Sequence, residues 1–377
     1  MFNAPASGAG VTTAGGTESI LMAVLSARQK ALTERNVTSP ELILPLTAHT
    51  AFRKACSYFN IRVHLVPCPA PTYQVHLPSV RRLINPNTIL LVGSAPNFPH
   101  GIIDDISSLS SLALRHNIPL HVDCCLGSFL MPFLSRAGLD TPTHPIPAFD
   151  FSLPGVTSIS VDTHKYGFAP KGNSTLLYRT KALRAYQYYI CADWPGGVYA
   201  SPSLAGSRPG ALIAGCWASM MATGENGYLA TCKDIVGAAR QLETYIRSDD
   251  GLKEHLSMLG SPVVSVVAFT SHTLNIYDIA DGMAAKGWHL NALQDPAGIH
   301  VAVTVPLAKA IEALVSDLKV VLGEMLEAER ERVARGEKRK GEAKGDAASL
   351  YGVAGSLPDK RIVRALAGAF LDTLYKV

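Results

Sequence analysis

Two residues of this chain combine the properties that amine and carbonyl chemistry requires. Lys165 lies in the turn Asp162-Thr163-His164-Lys165-Tyr166-Gly167, directly after an apolar, β-branched stretch that predicts a short buried strand. Burial disfavours the charged form of a lysine, so we expect a lowered pKa and a nucleophilic amine. Asp123 ends a second apolar stretch. Taken singly, each residue is more often a solvated loop residue, and only the combination of the two favours chemistry.

A nucleophilic lysine with an acidic partner is the pair that pyridoxal 5'-phosphate (PLP) enzymes need. Their cofactor is held on a lysine amine, and the acid pairs with the pyridine nitrogen so that the ring withdraws electrons. Lys171 follows soon after Lys165, and its charge is expected to repel Lys165 and to lower its pKa further. The sequence therefore predicts PLP as the cofactor, with Lys165 and Asp123 as catalytic residues.

Alternating strands and helices must position these residues. Residues 41–46, 61–67, 88–94, 118–123 and 157–161 have the pattern of strands, with helical stretches between several of them. Such alternation indicates an α/β fold with a mostly parallel sheet covered on both faces. We expect the large domain to comprise residues 1–235 and a smaller α+β domain to comprise residues 236–377. In the smaller domain we predict strands at 263–269, 288–290 and 299–305 and helices at 276–286, from 307 to about 335, and at 361–375.

The overall composition is typical of a globular protein and excludes several classes of function. The 377 residues are 47% hydrophobic and 17% charged, with a formal net charge of +4, which gives no reason to expect a nucleic-acid partner. The seven cysteines are scattered without metal-ligand spacing, so we expect reduced thiols and no metal site. We find no apolar run long enough to span a membrane and no signal peptide. The mixed-charge run from Glu327 to Asp346 predicts a solvated helix end and a mobile loop.

Two glycine-rich segments have the character of anion sites. Gly15, Gly16 and Thr17 precede an apolar helix, where free backbone N–H groups and the helix dipole attract a phosphate. The segment 194–210 also combines glycines with Ser207 before a long helix. His49 follows a predicted strand, at the edge where α/β folds bind ligands. A plain helix cap, a flexible connector and a surface histidine are the simpler interpretations of these three features.

Three blocks of sequence resemble the sphingosine-1-phosphate lyases. The blocks are His121-Val122-Asp123-Cys124-Cys125-Leu126-Gly127, residues 160–172 and residues 199–210, and the similarity runs from about Val11 to the C-terminus. That family belongs to the group II decarboxylase branch of the fold-type I PLP enzymes. The resemblance implies a PLP-dependent transferase-like large domain with a small C-terminal domain. It also implies a carbon–carbon lyase that cleaves sphingoid base 1-phosphates to a long-chain aldehyde and phosphoethanolamine, in sphingolipid catabolism.

The resemblance also assigns roles to individual residues. Gly16, Thr17 and His164 are implied as ligands of the cofactor phosphate, and Ser207 as a ligand of the cofactor phosphate of the neighbouring subunit, in a homodimer with shared active sites. His49 is implied to stack on the pyridine ring, and Lys171 to bind the substrate phosphate. Either Lys165 or Tyr166 is expected to move protons. Cys124 stands where the family usually has alanine, so we expect it to crowd or retune the contact with the cofactor ring and to make the site sensitive to oxidation.

Two alternative functions remain open at this point. An amino-acid decarboxylase would use the same lysine and aspartate, although Lys171 and the Gly-Ser-Arg-Pro block argue against it. We expect the chain to be N-terminally truncated relative to the family, without the segment that attaches relatives to the cytosolic face of the endoplasmic reticulum membrane. This chain alone would then be soluble and cytosolic. A truncated, inactive paralogue that only dimerises is therefore the second alternative.

Overall fold

The computed structural model describes residues 1–336 and 360–375. The chain divides into two compact units. The first contains residues 1–237 and 260–266, and the second contains residues 238–259 and the described residues from 267 onward. The chain passes from the first unit to the second within the helical segment Gly210–Ser248, after a kink at Gly224 (φ 59°).

The first unit is built on a seven-stranded sheet. Its strands are β1 (Ala9–Thr13), β2 (Glu41–Pro45), β3 (Arg62–Val66), β4 (Thr88–Ser94), β5 (Leu120–Asp123), β6 (Val156–Val161) and β7 (Ser174–Tyr178). Their order in the sheet is β1-β7-β6-β5-β4-β2-β3. The run from β6 to β3 is parallel, whereas β7 is antiparallel to both of its neighbours. Every residue of β4 is buried, as expected for a parallel strand covered on both faces.

Helices connect these strands. They are α1 (Gly16–Arg35), α2 (Ala51–Tyr58), α3 (Leu77–Leu83), α4 (Ile106–His116), α5 (Lys181–Ala185) and α6 (Gly210–Ser248), and a short hairpin, β8 (Tyr189–Cys191) with β9 (Tyr199–Ser201), precedes α6. Helix α4 is capped at its start by Asp105, whose side chain accepts a hydrogen bond from Ser108 N. It packs so closely on β4 that a Cβ atom at Gly93 would lie 2.5 Å from Ile106 Cδ1. The predicted strands and helices of this unit are confirmed, with small differences in their bounds.

The second unit contains a four-stranded sheet with the order β10-β11-β13-β12. Its elements are α7 (Asp250–Lys253), β10 (Leu256–Met258), β11 (Val266–Ser271), α8 (Ile276–Ala285), β12 (Asn291–Leu293), β13 (Gly298–Ala302), α9 (Val305–Ala308), α10 (Ile311–Ala334) and α11 (Lys360–Thr373). Residues 337–346 of the mixed-charge run lie outside the described residues.

The predicted strand at 288–290 is wrong. Gly287 has φ 90° and Trp288 N donates to Met283 O, so this segment forms the turn that ends α8. The Trp288 indole is held by Asp317 Oδ2 at 2.8 Å. The strand begins only at Asn291. The helix predicted from Leu307 is also divided, because α9 ends at Ala308 before α10 begins.

Asp104 is a fully buried carboxylate that supports the end of β4. Its Oδ1 accepts from Val75 N and its Oδ2 from Ser94 N, both at 2.9 Å. Burial raises the pKa of Asp104 to about 6, above its usual 3.8, although the two backbone donors act against this shift. The folded protein therefore binds a proton on Asp104 at pH values where the unfolded chain has lost it.

We predict that this proton contributes to stability below about pH 4 and that its contribution is lost as the pH rises through about 6. The change amounts to about 3 kcal/mol in the free energy of unfolding. Urea denaturation between pH 4 and pH 7 measures it, because Asp104→Asn removes this part of the pH dependence. Asp140→Asn is the control, since Asp140 accepts a backbone N–H at the surface. Identical pH slopes for the wild type and Asp104→Asn would contradict the assignment.

Candidate active site

A cavity of about 690 Å³ opens in the first unit where β4 and β5 end and α1 begins. Carboxyl ends of parallel strands are the usual ligand sites of α/β folds. Seven of the nine residues predicted from the sequence line this cavity. They are Gly16, Thr17, His49, Asp123, His164, Lys165 and Lys171.

Lys165 is held by the carboxylate of Asp162, a residue of the same turn for which no role was predicted. Its Nζ lies 3.0 Å from Asp162 Oδ2, and the Asp162 side chain is almost fully buried. Burial alone would lower the pKa of Lys165, but the charge of Asp162, aided by Asp123, raises it above its usual value. The predicted lowering of the pKa is therefore wrong. At neutral pH the free protein holds an ammonium ion, and it must lose a proton before it can attack a carbonyl.

The second oxygen of Asp162 is equally informative. Among the described residues, no donor reaches its Oδ1 although that atom is buried. Gly16 at the start of α1 packs directly on the carboxylate, and a Cβ atom there would lie 2.7 Å from Oδ2 and 2.8 Å from Oδ1. Only glycine permits this approach. A buried carboxylate oxygen without a donor indicates a cavity shaped for a polar ligand that brings one.

Asp123 is fixed by a network of buried hydrogen bonds. Its Oδ1 accepts from Cys125 N and from Ser160 Oγ, both at 3.1 Å. Ser160 Oγ lies 3.2 Å from Nε2 of His121, whose Nδ1 is 2.8 Å from Ser158 Oγ. Burial lowers the pKa of His121 to about 4, so this imidazole is neutral. The network holds one oxygen of Asp123 and leaves Oδ2 without a donor in the described part of the chain, available to a protonated pyridine nitrogen.

The remaining cavity residues have distinct environments. Nδ1 of His49 accepts a hydrogen bond from Ala51 N at 3.2 Å, which places its proton on Nε2. His164 Nδ1 lies 2.7 Å from Asn173 O and therefore carries a proton. Lys171 is exposed at the cavity edge. The charge of Asp162 is the largest influence that raises the pKa of Lys165, and the predicted repulsion between the two lysines stays a prediction.

Three predicted features do not reach the cavity. Tyr166 is buried away from its lining, and burial raises the pKa of its phenol. Ser207 is exposed in the loop between β9 and α6. Cys124 is fully buried, and Cys125 lines the cavity in its place.

The chemistry expected of Cys124 is also wrong. Burial raises the pKa of both thiols well above the usual value, and the nearby carboxylates act in the same direction. Both cysteines are therefore protonated and poorly reactive at neutral pH. Neither the position of Cys124 nor its pKa supports a site that is sensitive to oxidation.

The lining also contains residues to which the sequence gave no role, among them Ser94, Asn97, Cys125 and Asp162. Asp162 was within the quoted Asp-Thr-His-Lys turn, and its spacing of three from Lys165 was the available signal. Asn97 lies in the loop 95–101, which is rich in turn-forming residues and resembles the substrate-side loop of the lyase family, but the residue itself had no predicted role. Ser94 ends a strand as Asp123 does, and that shared position could have identified it.

Comparison with known proteins identifies the family. A family model described as the pyridoxal-dependent decarboxylase conserved domain matches residues 1–272. The sphingosine-1-phosphate lyase of Saccharomyces cerevisiae is 48% identical over 378 residues, which cover 100% of this chain and 62% of that protein. The solved sphingosine-1-phosphate lyase of Burkholderia pseudomallei is 42% identical with a TM-score of 0.79, over 87% of this chain and 74% of that one. The chain belongs to the sphingosine-1-phosphate lyase family.

Membership confirms the resemblance seen in the sequence, the fold class and PLP as the cofactor. The Arabidopsis thaliana sphingosine-1-phosphate lyase is 44% identical over 97% of this chain and 63% of its own length. The chain thus spans somewhat under two thirds of the length of these two relatives. A Lactobacillus brevis glutamate decarboxylase, at 20% identity and a TM-score of 0.72, shares the fold. The unpaired Asp162 Oδ1 and the available Asp123 Oδ2 fit a cofactor that offers donors, so the cavity suits PLP.

We predict that Asp162→Asn lowers the pKa of Lys165, because the charge that stabilises the ammonium ion is removed while burial remains. The pH dependence of Lys165 modification by an amine-reactive reagent, followed by peptide mass mapping, measures this change. The midpoint should move to lower pH in Asp162→Asn. Asp250→Asn is a matched control, since Asp250 forms a surface pair with Lys253 at the same spacing. An unchanged Lys165 midpoint would show that Asp162 does not set its charge.

Proposed function

We propose that this protein is a PLP-dependent lyase that cleaves sphingoid base 1-phosphates to a long-chain aldehyde and phosphoethanolamine. The observation that carries the proposal is the pairing of Lys165 with a buried Asp162 beside a fixed Asp123, in a member of the sphingosine-1-phosphate lyase family. The reaction breaks the bond between the amine-bearing carbon and the neighbouring carbon that carries the hydroxyl.

The cofactor, when bound, would withdraw electrons from the carbon that loses the aldehyde. Lys165 would hold it through the amine and later move protons, a role that falls to Lys165 because Tyr166 lies outside the cavity lining. Asp123 Oδ2 would accept the pyridine N–H, and the fixed hydrogen bonds to Oδ1 would keep it in position. His49, whose Nδ1 is occupied, would face the ring with its Nε2–H.

Phosphate binding is proposed for two regions of the cavity. Gly16 and Thr17 at the start of α1, with His164 nearby, would hold the cofactor phosphate through the helix N-terminus. Lys171 at the exposed edge would bind the substrate phosphate, where a flexible ammonium ion can follow an anion from solvent. Two separate cationic or N–H-rich regions suit a reaction that has phosphates on both cofactor and substrate.

A homodimer with shared active sites is also proposed. The hairpin β8–β9 exposes large apolar side chains, with Tyr189, Ile190 and Val198 at 62, 66 and 75% exposure, and Trp217 and Met221 are exposed on α6. Exposed apolar surface of this kind is characteristic of association sites. Ser207, in the loop between β9 and α6, would then reach the partner's cofactor phosphate.

The domain boundaries are also proposed, with a large domain of residues 1–235 and a small domain of residues 236–377.

Attachment to the cytosolic face of the endoplasmic reticulum membrane is proposed from the family alone. Within the described residues, no helix has both the length and the apolar character needed to cross a bilayer.

We predict that added PLP produces a visible absorbance band that borohydride fixes on Lys165. Lys165→Ala should abolish both the band and the fixed label, because no other amine in the cavity is paired with a buried carboxylate in the described structure. Lys181→Ala, outside the cavity, should retain both. Absence of the band from the wild type would favour a non-catalytic paralogue. Release of carbon dioxide from amino acids, without cleavage of phosphorylated sphingoid bases, would favour a decarboxylase.

We also predict that Lys171→Ala raises KM for the phosphorylated substrate by about 10- to 100-fold with little change in kcat, as expected for loss of a charge-assisted hydrogen bond to a phosphate. The measurement is steady-state aldehyde release from sphinganine 1-phosphate. Lys181→Ala again serves as the control. A fall in kcat with unchanged KM would place Lys171 in the chemical step instead of in binding.

A further inference from the structure

Two neutral polar groups in the cavity wall have no partner in the described structure. Ser94 Oγ and Asn97 Nδ2 both line the cavity, and their residues are only 1 and 2% exposed. A buried polar group without a hydrogen bond costs about 1 to 3 kcal/mol. Such a cost is offset when a ligand or water supplies the partner, so each group is available to hydrogen-bond a molecule bound in the cavity.

The orientation of the Asn97 amide follows from its contacts. His100 N donates to Asn97 Oδ1 at 3.0 Å, which assigns the oxygen to the turn and leaves the NH₂ group as the unpaired end. The backbone of Asn97 is held as well, because its N–H donates to Ile102 O at 2.8 Å and its carbonyl accepts from Gly101 N at 3.2 Å. The side chain is therefore a donor fixed in place before any ligand arrives.

Ser94 is fixed by the sheet and by Asp104. It is the last residue of β4 and stands opposite Asp123 in the register of β4 with β5. Its N–H donates to Asp104 Oδ2 at 2.9 Å, and its carbonyl accepts from Asp104 N at 3.0 Å. Its hydroxyl therefore belongs to the part of the wall beside Asp123, the residue proposed to hold the pyridine nitrogen.

Both groups are uncharged, and this distinguishes them from the regions proposed for phosphate. A phosphate is usually bound by cations or by several N–H groups, whereas a hydroxyl and an amide NH₂ suit a neutral oxygen. The proposed substrate carries one such oxygen next to the carbon that bears the amine. Sites that hydrogen-bond a substrate hydroxyl reject analogues that lack it, because the buried groups of the site then stay unpaired.

We propose that Ser94 and Asn97 are specificity-determining residues that hydrogen-bond the hydroxyl oxygen next to the amine-bearing carbon of the substrate. This inference rests on the proposed lyase function and adds to it the groups that recognise the hydroxyl. Ordinary amino acids without that hydroxyl leave both groups unpaired. The pair therefore favours hydroxylated amino phosphates over the substrates of amino-acid decarboxylases.

The test compares two ligands on PLP-loaded protein. One is sphinganine 1-phosphate, and the other is its analogue with hydrogen in place of that hydroxyl. The dissociation constants come from the first stopped-flow change of the visible absorbance band, before product forms. The variants are Ser94→Ala and Asn97→Asp, which removes the donor but keeps an oxygen for His100 N–H.

We expect each variant to bind sphinganine 1-phosphate about 5- to 50-fold more weakly, as for one lost buried hydrogen bond. Binding of the analogue should change by less than about twofold, because it has no hydroxyl to lose contact with. Ser128→Ala is a matched control, since Ser128 Oγ is also buried and unpaired but lies outside the cavity lining. Asn117→Asp controls for the added charge at an exposed helix end.

Equal losses for both ligands, or no loss for either, would overturn the inference. A shift of the absorbance band in the variants before any ligand is added would also overturn it, because the groups would then bind the cofactor oxygen. If the wild type shows a normal band and any of these contrary results is obtained, only this inference fails and the lyase proposal stands. Absence of the band from the wild type refutes the lyase proposal and this inference together.

Discussion

The parallel hydrogen-bond register of β4, β5 and β6 is the constraint on which the site depends. It sets Ser94 opposite Asp123 and Asp123 opposite Ser160, so three polar side chains form a row across the carboxyl edge of the sheet. Side chains alternate between faces along a strand, so a shift of one residue would turn Asp123 away from the cavity. The buried apolar residues of β4 and the close packing of α4 on Gly93 hold this register.

Charge balance is the second determinant of the site. Three acids and two lysines line one cavity, but among these residues only Asp162 and Lys165 form a close pair. The pair holds the amine in place as an ammonium ion, which must lose a proton before it attacks an aldehyde. The nearby Gly16 permits this arrangement, because any side chain there would displace the carboxylate. Gly16, which is expected to bind phosphate, therefore also makes room for the carboxylate of Asp162.

The alternating pattern in the sequence predicted the large sheet because buried parallel strands are short, apolar and bounded by polar turns. The same alternating pattern predicted the strands of the smaller unit less accurately. There Trp288 resembles a strand residue, but its packing against Asp317 and the end of α8 places it in a turn. A pattern of two or three residues cannot distinguish these cases, because tertiary contacts decide them.

The family, the cofactor class and the lysine and aspartate at the centre of the site could all be read from the order of the residues. Those features reside in residue types and short spacings, which local chemistry constrains directly. The fold was needed to show how Asp162 affects Lys165, that Cys125 and not Cys124 lines the cavity, and that Ser94 and Asn97 carry unpaired groups in the described structure. These properties are not visible in the sequence because pKa values and hydrogen-bond partners depend on burial and on neighbours from distant segments. Spacing along the chain does not specify those neighbours.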